Sequence, residues 1–377
     1  MDRKESGDST PEFYIQTSSS LLEQQLRSLK QGDTFAMFDD RGDICSGPGG
    51  PEGLYHKDTR FLSFLKLEVQ GRRPLLLSSF VQRSNACLTV DLTNPDIHAG
   101  ETLLLPRDCL HVLRSKFLWD GICHERIVVR NYGMEDQDVV IRLSFKADFL
   151  DVFEVRGHSR PRRGHIVRSV TGRDRVVLQY HGLDHHARST TLCFQPHPRH
   201  LDDHHAEWRF RLSAGDRTTL TTAAACNVHS GKEFDFRTDL RKARHARTAI
   251  SRGRLEVRTS SQEFNDLLAQ SLCDLDMLAM PTAHGHYPYA GIPWYSTAFG
   301  RDGIITAIEM LAFDPAMAKA VLHFLANRQA EDMDAANDAE PGKILHETRQ
   351  GEMANLREVP FGRYYGSVDS TPLFVLL

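Results

Sequence analysis

Three stretches in the second half of the chain gather residue types that handle sugars. The first is Gly291-Ile292-Pro293-Trp294-Tyr295-Ser296-Thr297-Ala298-Phe299-Gly300-Arg301-Asp302-Gly303. It sets two aromatics, Trp294 and Tyr295, beside Arg301 and Asp302, in a loop that runs into a helical pattern. An aromatic face stacks on the apolar face of a sugar ring, and a carboxylate accepts hydrogen bonds from paired hydroxyls. A helix N-terminus also favours a negative charge, so Asp302 could instead cap the helix and pair with Arg301. The second stretch, Gly342 to Arg349, puts Glu347 and Arg349 at alternating positions of an extended segment, hence on one side. That offers a carboxylate and a guanidinium to one pocket, or else a solvated charged loop. The third, Val359 to Pro372, carries Asp369 among Phe361, Tyr364 and Tyr365. A carboxyl group against aromatic walls acquires the raised pKa that a proton donor needs. The plainer alternative is an N-cap, with Pro372 in the first turn.

The elements that must position these residues divide the chain. From Asp33 to about Leu240 short alternating or β-branched runs recur, such as Thr34–Phe38, Leu65–Val69, Arg126–Arg130, Val139–Leu143 and Arg175–Leu178. Turn residues separate them at Asp40–Asp43, Gly71-Arg72, Asn131–Gly133 and Ala214–Asp216. This grammar predicts an antiparallel β-sandwich. The Arg- and His-rich stretch 155–205 reads as long loops. Near Ser260 the pattern changes. Ser260 or Ser261 caps a helix carrying Phe264, Leu267, Leu268, Leu272, Leu275 and Leu278, which Pro281 stops. Ile304, Ile305, Ile308 and Leu311 mark a second helix, and Pro315 opens a third with Met317, Val321, Leu322 and Leu325. The segment from Asp332 to Arg363 reads as a long functional loop. The apolar run Thr371–Leu377 reads as the start of a further helix, with more chain expected beyond it. The expected domains are a flexible tail over 1–25, a β-sandwich over 26–245 and a helical domain from 246 to 377.

Composition narrows the partners. The 377 residues carry a net charge of −4 and 40% hydrophobic residues, the balance of an ordinary globular protein. No basic excess speaks for nucleic acid. The seven cysteines are scattered and odd in number, the usage of reduced thiols. No apolar leader or membrane-length run is present, so a cytoplasmic location is expected. The oligomeric state is not legible.

Two further motifs sit in the β half: Gly53-Leu54-Tyr55-His56-Lys57-Asp58-Thr59-Arg60-Phe61-Leu62 and Ala147-Asp148-Phe149-Leu150-Asp151-Val152-Phe153-Glu154-Val155-Arg156-Gly157. Together with Trp294–Thr297, Phe299–Gly303, His346–Arg349 and Tyr365–Pro372, they resemble the bacterial amylo-α-1,6-glucosidase (glycogen-debranching) family. The resemblance runs from about residue 30 to the end. It implies an N-terminal β domain and the opening part of an (α/α)6 toroid of the six-hairpin glycosidase kind, acting on an α-glucan or related oligosaccharide without a cofactor. It further implies Asp369 as the general acid, with Trp294, Tyr295, Arg301, Asp302, Glu347, Arg349 and Tyr365 around the sugar. An inverting glycosidase needs a second carboxylate ~6.5–9.5 Å from the first. None is evident before Leu377, so the toroid is expected to be truncated here. A carbohydrate-binding protein without catalysis is the alternative.

Other signals are weaker. His185, His186, His197, His200, His204 and His205 fit no standard zinc spacing, so no metal is expected. Asp148, Asp151 and Glu154 could hold a cation, but more simply serve a domain junction, with Phe149, Val152 and Phe153 in the core. Gly157–Pro161 lacks the final glycine of a serine-hydrolase elbow. No phosphate-binding or dinucleotide fingerprint is present.

Overall fold

The computed structural model describes residues 26–45, 47, 49–228, 234–250 and 254–377; the expected tail over 1–25 lies outside them. Alternating strands such as Phe64–Val69, Gln137–Lys146 and Arg175–His181 bury every second side chain, which requires a face-to-face partner. Two antiparallel sheets supply it. The larger has eight strands in the order 165–171, 175–181, 187–195, 217–226, 122–131, 110–119, 88–93 and 75–81. The smaller has five, in the order 200–201, 205–212, 137–146, 64–69 and 44–45. Val90, Val112, Ile127, Val129 and Leu220 from the first share one core with Leu67, Ile141, Leu143, Phe145 and Trp208 from the second. A four-stranded sheet, 27–31, 34–38, 53–56 and 59–62, adjoins them. The N-terminal part is thus a large antiparallel β domain.

The predicted strands form, but 155–205 is not loop. It holds the strands His165–Thr171, Arg175–His181, Ala187–Gln195 and His200–Leu201. Val176, Leu178 and Leu192 are its buried face. His165, Arg168, Arg175 and His181 stand at positions away from that face, so the polarity they add masks the alternation.

Among the described residues the α-helices are, in chain order, α1 (Val152–Val155), which lies within the β domain, α2 (Phe236–Ile250), α3 (Gln262–Leu278), α4 (Gly300–Glu309), α5 (Pro315–Ala326), α6 (Glu352–Asn355) and α7 (Ser370–Leu376). Helix α2 was not legible in sequence, being polar on most sides. It packs back on the large sheet, with the Phe236 ring edge-on to Phe117. Ser261 caps α3 through Phe264 N, as its spacing predicts. Yet no residue of α3 is fully buried. Leu272 and Leu275 lean on the helical core, while Phe264 and Leu267 face outward. A β-hairpin, 279–282 with 285–288 and with Pro281 in its first strand, follows α3 directly. It places Tyr287 in a core with Ile304, Ala307, Met317, Val321 and Leu345. The 332–363 segment is anchored within by α6 and by short 3-10 turns at 335–337 and 360–362.

A third core joins the two parts. Phe35, Met37 and Tyr55 from the small four-stranded sheet and Val152 and Phe153 from α1 pack with Trp294, Met353, Ala354 and Val359. Among the described residues, no helix is long and apolar enough to cross a membrane.

Candidate active site

The three motif stretches converge through their backbones. Phe299 bridges Glu347, and Glu347 bridges Tyr364, so the three loops lie side by side with Glu347 in the middle. Gly300 N donates to His346 O at 2.9 Å, and Thr348 Oγ1 donates to Gly362 O at 2.8 Å. The glycines of Phe299–Gly303 are explained by close approach. A Cβ on Gly300 would lie 1.9 Å from Leu345 O, and one on Gly303 would lie 2.4 Å from the Tyr287 hydroxyl oxygen. The first turn of α4 therefore sits directly on its neighbours.

That packing aims the first turn of α4 at α7. Phe299, not Asp302, is the N-cap of α4, and it makes no side-chain cap. Asp302 lies within the first turn and is half-buried. Arg301 does not pair with its neighbour. Its Nη1 donates to Asp369 Oδ2 at 2.9 Å. Asp369 is the N-cap residue of α7 but makes no capping hydrogen bond. Its other oxygen accepts from Ser367 Oγ. The Ser367 hydroxyl above all, joined by the Arg301 guanidinium, holds the Asp369 carboxyl below the usual carboxylate range, against the opposing effect of burial. The raised pKa expected of a proton donor is therefore not found in this arrangement, because Asp369 sits among hydrogen-bond donors and solvent rather than among aromatic rings.

The other expected sugar contacts separate into two groups. Tyr295 is exposed, with its ring edge-on to Phe299 and the Arg156 guanidinium 5.8 Å above it. Arg301 is exposed as well. These two, with Asp302 and Asp369, are open to a ligand. Trp294 is not: it is 8% exposed, lies in the core between the two parts and is covered by Arg156. Tyr365 is buried too, and its hydroxyl donates to Arg328 O at 2.8 Å.

Glu347 and Arg349 do share one side, as the alternation predicts, but they face inward. Arg349 Nε donates to Glu347 Oε1 at 2.6 Å, Nη1 to Asp58 Oδ1 at 2.8 Å and Nη2 to Trp294 O at 2.8 Å. Its guanidinium also lies over the rings of Phe153 and Phe299. Burial alone would lower its pKa; Asp58 and Glu347 overcome this and raise it. Arg349 is a fixed buried cation linking the β domain to the helical part, with its three nitrogens engaged by protein.

Asp58 and Asp151 complete that link; Asp151 was expected at a junction, whereas the pairing of Asp58 with Arg349 was not legible, since Asp58 precedes Arg349 by most of the chain. Asp58 Oδ2 accepts from Gln350 N at 2.9 Å. Asp151 closes a capping box on α1 with Glu154, and its Oδ2 accepts from Met353 N at 3.2 Å. Burial, with the Asp58 charge second, pushes the Asp151 carboxyl up to about 7. Asp148 pairs with Arg60, and Glu154 with Arg163. Asp151 therefore serves the domain junction, while Asp148 and Glu154 pair with arginines of the β domain itself, and Phe149, Val152 and Phe153 are core. Glu352 strengthens the junction by accepting from Arg160, Tyr180 and Leu183 N.

One polar group near the third stretch, Asp338, was not singled out in the sequence. Tyr364 is hydrogen-bonded to the Asp338 side chain, which, with burial second, pushes its hydroxyl up to about 12. Nothing in the spacing of Asp338 distinguishes it from the other acids of its loop.

The family described as the N-terminal domain of (some) glycogen debranching enzymes matches residues 29–223, and the chain belongs to that family. No curated protein matches the sequence. Among solved structures the chain is similar to a protein named as a kojibiose phosphorylase from the human microbiome, at 11% identity and a TM-score of 0.56, over 80% of this chain and 46% of that one. That likeness shows the fold, and this chain spans about half the length of the phosphorylase. A protein named as an aldose 1-epimerase from Escherichia coli K12 is similar over 55% of this chain and 100% of its own, at 10% identity and a TM-score of 0.30. A galactose mutarotase-like protein from Lactobacillus casei is similar over 54% of this chain and 100% of its own, at 12% identity and a TM-score of 0.31.

Proposed function

We propose that the chain is a glycoside hydrolase of the amylo-α-1,6-glucosidase type, acting on α-glucosidic bonds of a glycogen-like glucan or a related oligosaccharide. In this reading residues 26–245 are the β domain, and 246–377 are the opening part of an (α/α)6 toroid. The observation that carries it is the meeting of Arg301 and Asp369 where the first turns of α4 and α7 come together. Asp302 lies beside them as a hydroxyl acceptor, and Tyr295 offers an exposed ring for stacking.

Asp369 is the general acid. Its proton would pass to the leaving glycosidic oxygen as the sugar–oxygen bond breaks, and water would attack from the opposite face with inversion, giving its own proton to a second carboxylate that none of the residues assigned here supplies. Arg301 stands in the way of that protonation as long as it pairs with Asp369. A sugar hydroxyl that draws Arg301 away would remove a cation from Asp369 and exclude water from it, and both changes raise its pKa. Arg301 is well placed for this, being half-exposed. Glu347, Arg349, Trp294 and Tyr365 hold the loops in place from beneath.

One observation favours the second reading, a carbohydrate-binding protein without catalysis. Asp369 is held ionised by Ser367 and Arg301, the state of a hydroxyl acceptor rather than a proton donor. Glucose release from a branched limit dextrin, measured for the chain and for Asp369→Asn, separates the two. Release abolished by the substitution supports the hydrolase. Glucan retention on an affinity gel with no release from either protein supports binding alone.

A further inference from the structure

We infer that the hairpin His200–His205 is a binding site for a divalent transition cation of the Zn2+, Ni2+ or Cu2+ class. The hairpin forms the outer edge of the five-stranded sheet, where His200 pairs with Glu207 and Leu201 with Ala206. Asp202 N donates to His205 O at 3.1 Å, closing a tight turn. Within it Asp202 Oδ1 accepts from His204 N and His205 N, both at 2.8 Å. One carboxylate oxygen is thus committed to the backbone, and the other is held toward the two imidazoles. Asp202 Oδ2 lies 2.9 Å from His205 Nδ1 and 3.5 Å from His200 Nε2. The three donor atoms all fall within 4.8 Å of one another.

Bonds of ~2.0–2.2 Å from a tetrahedral cation place its ligand atoms roughly 3.3–3.6 Å apart. These donors reach that geometry by small side-chain rotations, with no change in the hairpin. The His200 and His205 rings already lie side by side, their centroids 5.0 Å apart. Two imidazoles and one carboxylate select a borderline transition cation. Calcium or magnesium would need an oxygen cage that this hairpin lacks. His200 is exposed and the other two residues are half-buried, so the cation enters from solvent and water fills its remaining positions. The pattern escapes a search by histidine spacing because the third ligand is the aspartate between them.

The test uses the full chain, stripped with a chelator and titrated with ZnCl2 by calorimetry. One Zn2+ per chain is expected, with affinity falling about tenfold or more in Asp202→Asn and in His205→Ala. Asp202→Asn keeps the oxygen that holds the turn, so the fold is retained, and circular dichroism of the metal-free variants checks this. His323→Ala, which alters the separate pair of stacked rings His284 and His323, should leave binding unchanged. A measurement on the unaltered protein needs no variant. Zn2+ should protect His200 and His205, but not His323, from acylation by diethyl pyrocarbonate, mapped by mass spectrometry. Absence of Zn2+ binding, full affinity in a His200→Ala, His205→Ala double variant, or equal acylation with and without Zn2+ would each overturn the assignment.

Discussion

Arg301 Nη1 lies 2.9 Å from Asp369 Oδ2, so a surface charge pair ties the first turn of α4 to the N-cap of α7. Its electrostatic effect is stated by the direction of the Asp369 shift. A carboxyl held below its usual range stabilises the fold above its unfolded pKa and loses that contribution as pH falls through the folded one. The Asp369 side chain is 32% exposed and that of Arg301 49%, so solvent screens the pair; its worth is below about 1 kcal/mol. In Arg301→Met the Asp369 carboxyl should titrate at higher pH, and the melting temperature should fall by no more than a few degrees. Carbon-13 NMR of the labelled carboxyl checks the first point. An unchanged titration would remove Arg301 from the account of Asp369. In Ser367→Ala the rise should be larger, since the Ser367 hydroxyl is the leading cause of the shift.

Trp294 and Tyr295 are adjacent in sequence and opposite in role. Trp294→Ala should cost ~3–5 kcal/mol of stability, the range for emptying a buried aromatic site. Tyr295→Ala should leave stability nearly unchanged and weaken retention on a glucan gel, because its ring is exposed beside the open cluster. Urea denaturation and gel retention on both variants check the pair. Equal losses of retention at equal stability would return Trp294 to the sugar.

Arg349→Met leaves Asp58 and Glu347 as buried carboxylates without their cation. Removing one partner of a buried ion pair costs ~3–5 kcal/mol. Denaturation should therefore show a large loss, with the helical part releasing from the β domain before the β domain unfolds. Limited proteolysis would show the order. A variant as stable as the parent would mean that the packing of Trp294, Phe153 and Met353 holds the junction unaided.

Asp151 gives the junction a pH dependence of defined sign. Its carboxyl is raised from 3.8 to about 7, chiefly by burial. The stabilisation it contributes is fully present below the unfolded value and is lost as pH rises toward about 7. Glu352 acts the other way: Arg160 and Tyr180 outweigh its burial and hold it low, so its contribution is lost only in acid. Asp151→Asn keeps an acceptor for one of the two backbone N–H groups and does not ionise. Between about pH 5 and pH 7, parent stability should fall relative to that variant by on the order of 1 kcal/mol per pH unit. Parallel melting curves for the two proteins across that range would exclude Asp151 as the titrating group.

How much of this was legible is clearest from particular residues. Ser261 as a cap, Pro315 at a helix start and the alternation of Phe64–Val69 are local signals, and local hydrogen bonding and burial enforce them. The likeness of Phe299–Gly303 and Tyr365–Pro372 to one family was likewise visible in the residues themselves. The strands within 165–195 were hidden because their outward positions carry arginine and histidine. Glu347 and Arg349 were correctly placed on one side of an extended segment, but spacing does not say whether that side meets solvent or protein.

The sequence by itself determined the order of β and helical parts, the family and the three motif stretches, since these depend on residue type and on neighbours a few positions away. Tertiary structure decided which motif residues are open. Asp58 reaches Arg349 across 291 positions, and that contact turns a presumed sugar-binding arginine into the buried bolt of the domain junction. Trp294 went inward against the β domain and Tyr365 into the helical core, because burying their large apolar surface outweighs leaving it in water. Arg301, Asp302 and Asp369 stayed open to solvent, and Tyr295, although Arg156 of the β domain lies over its ring, stayed exposed.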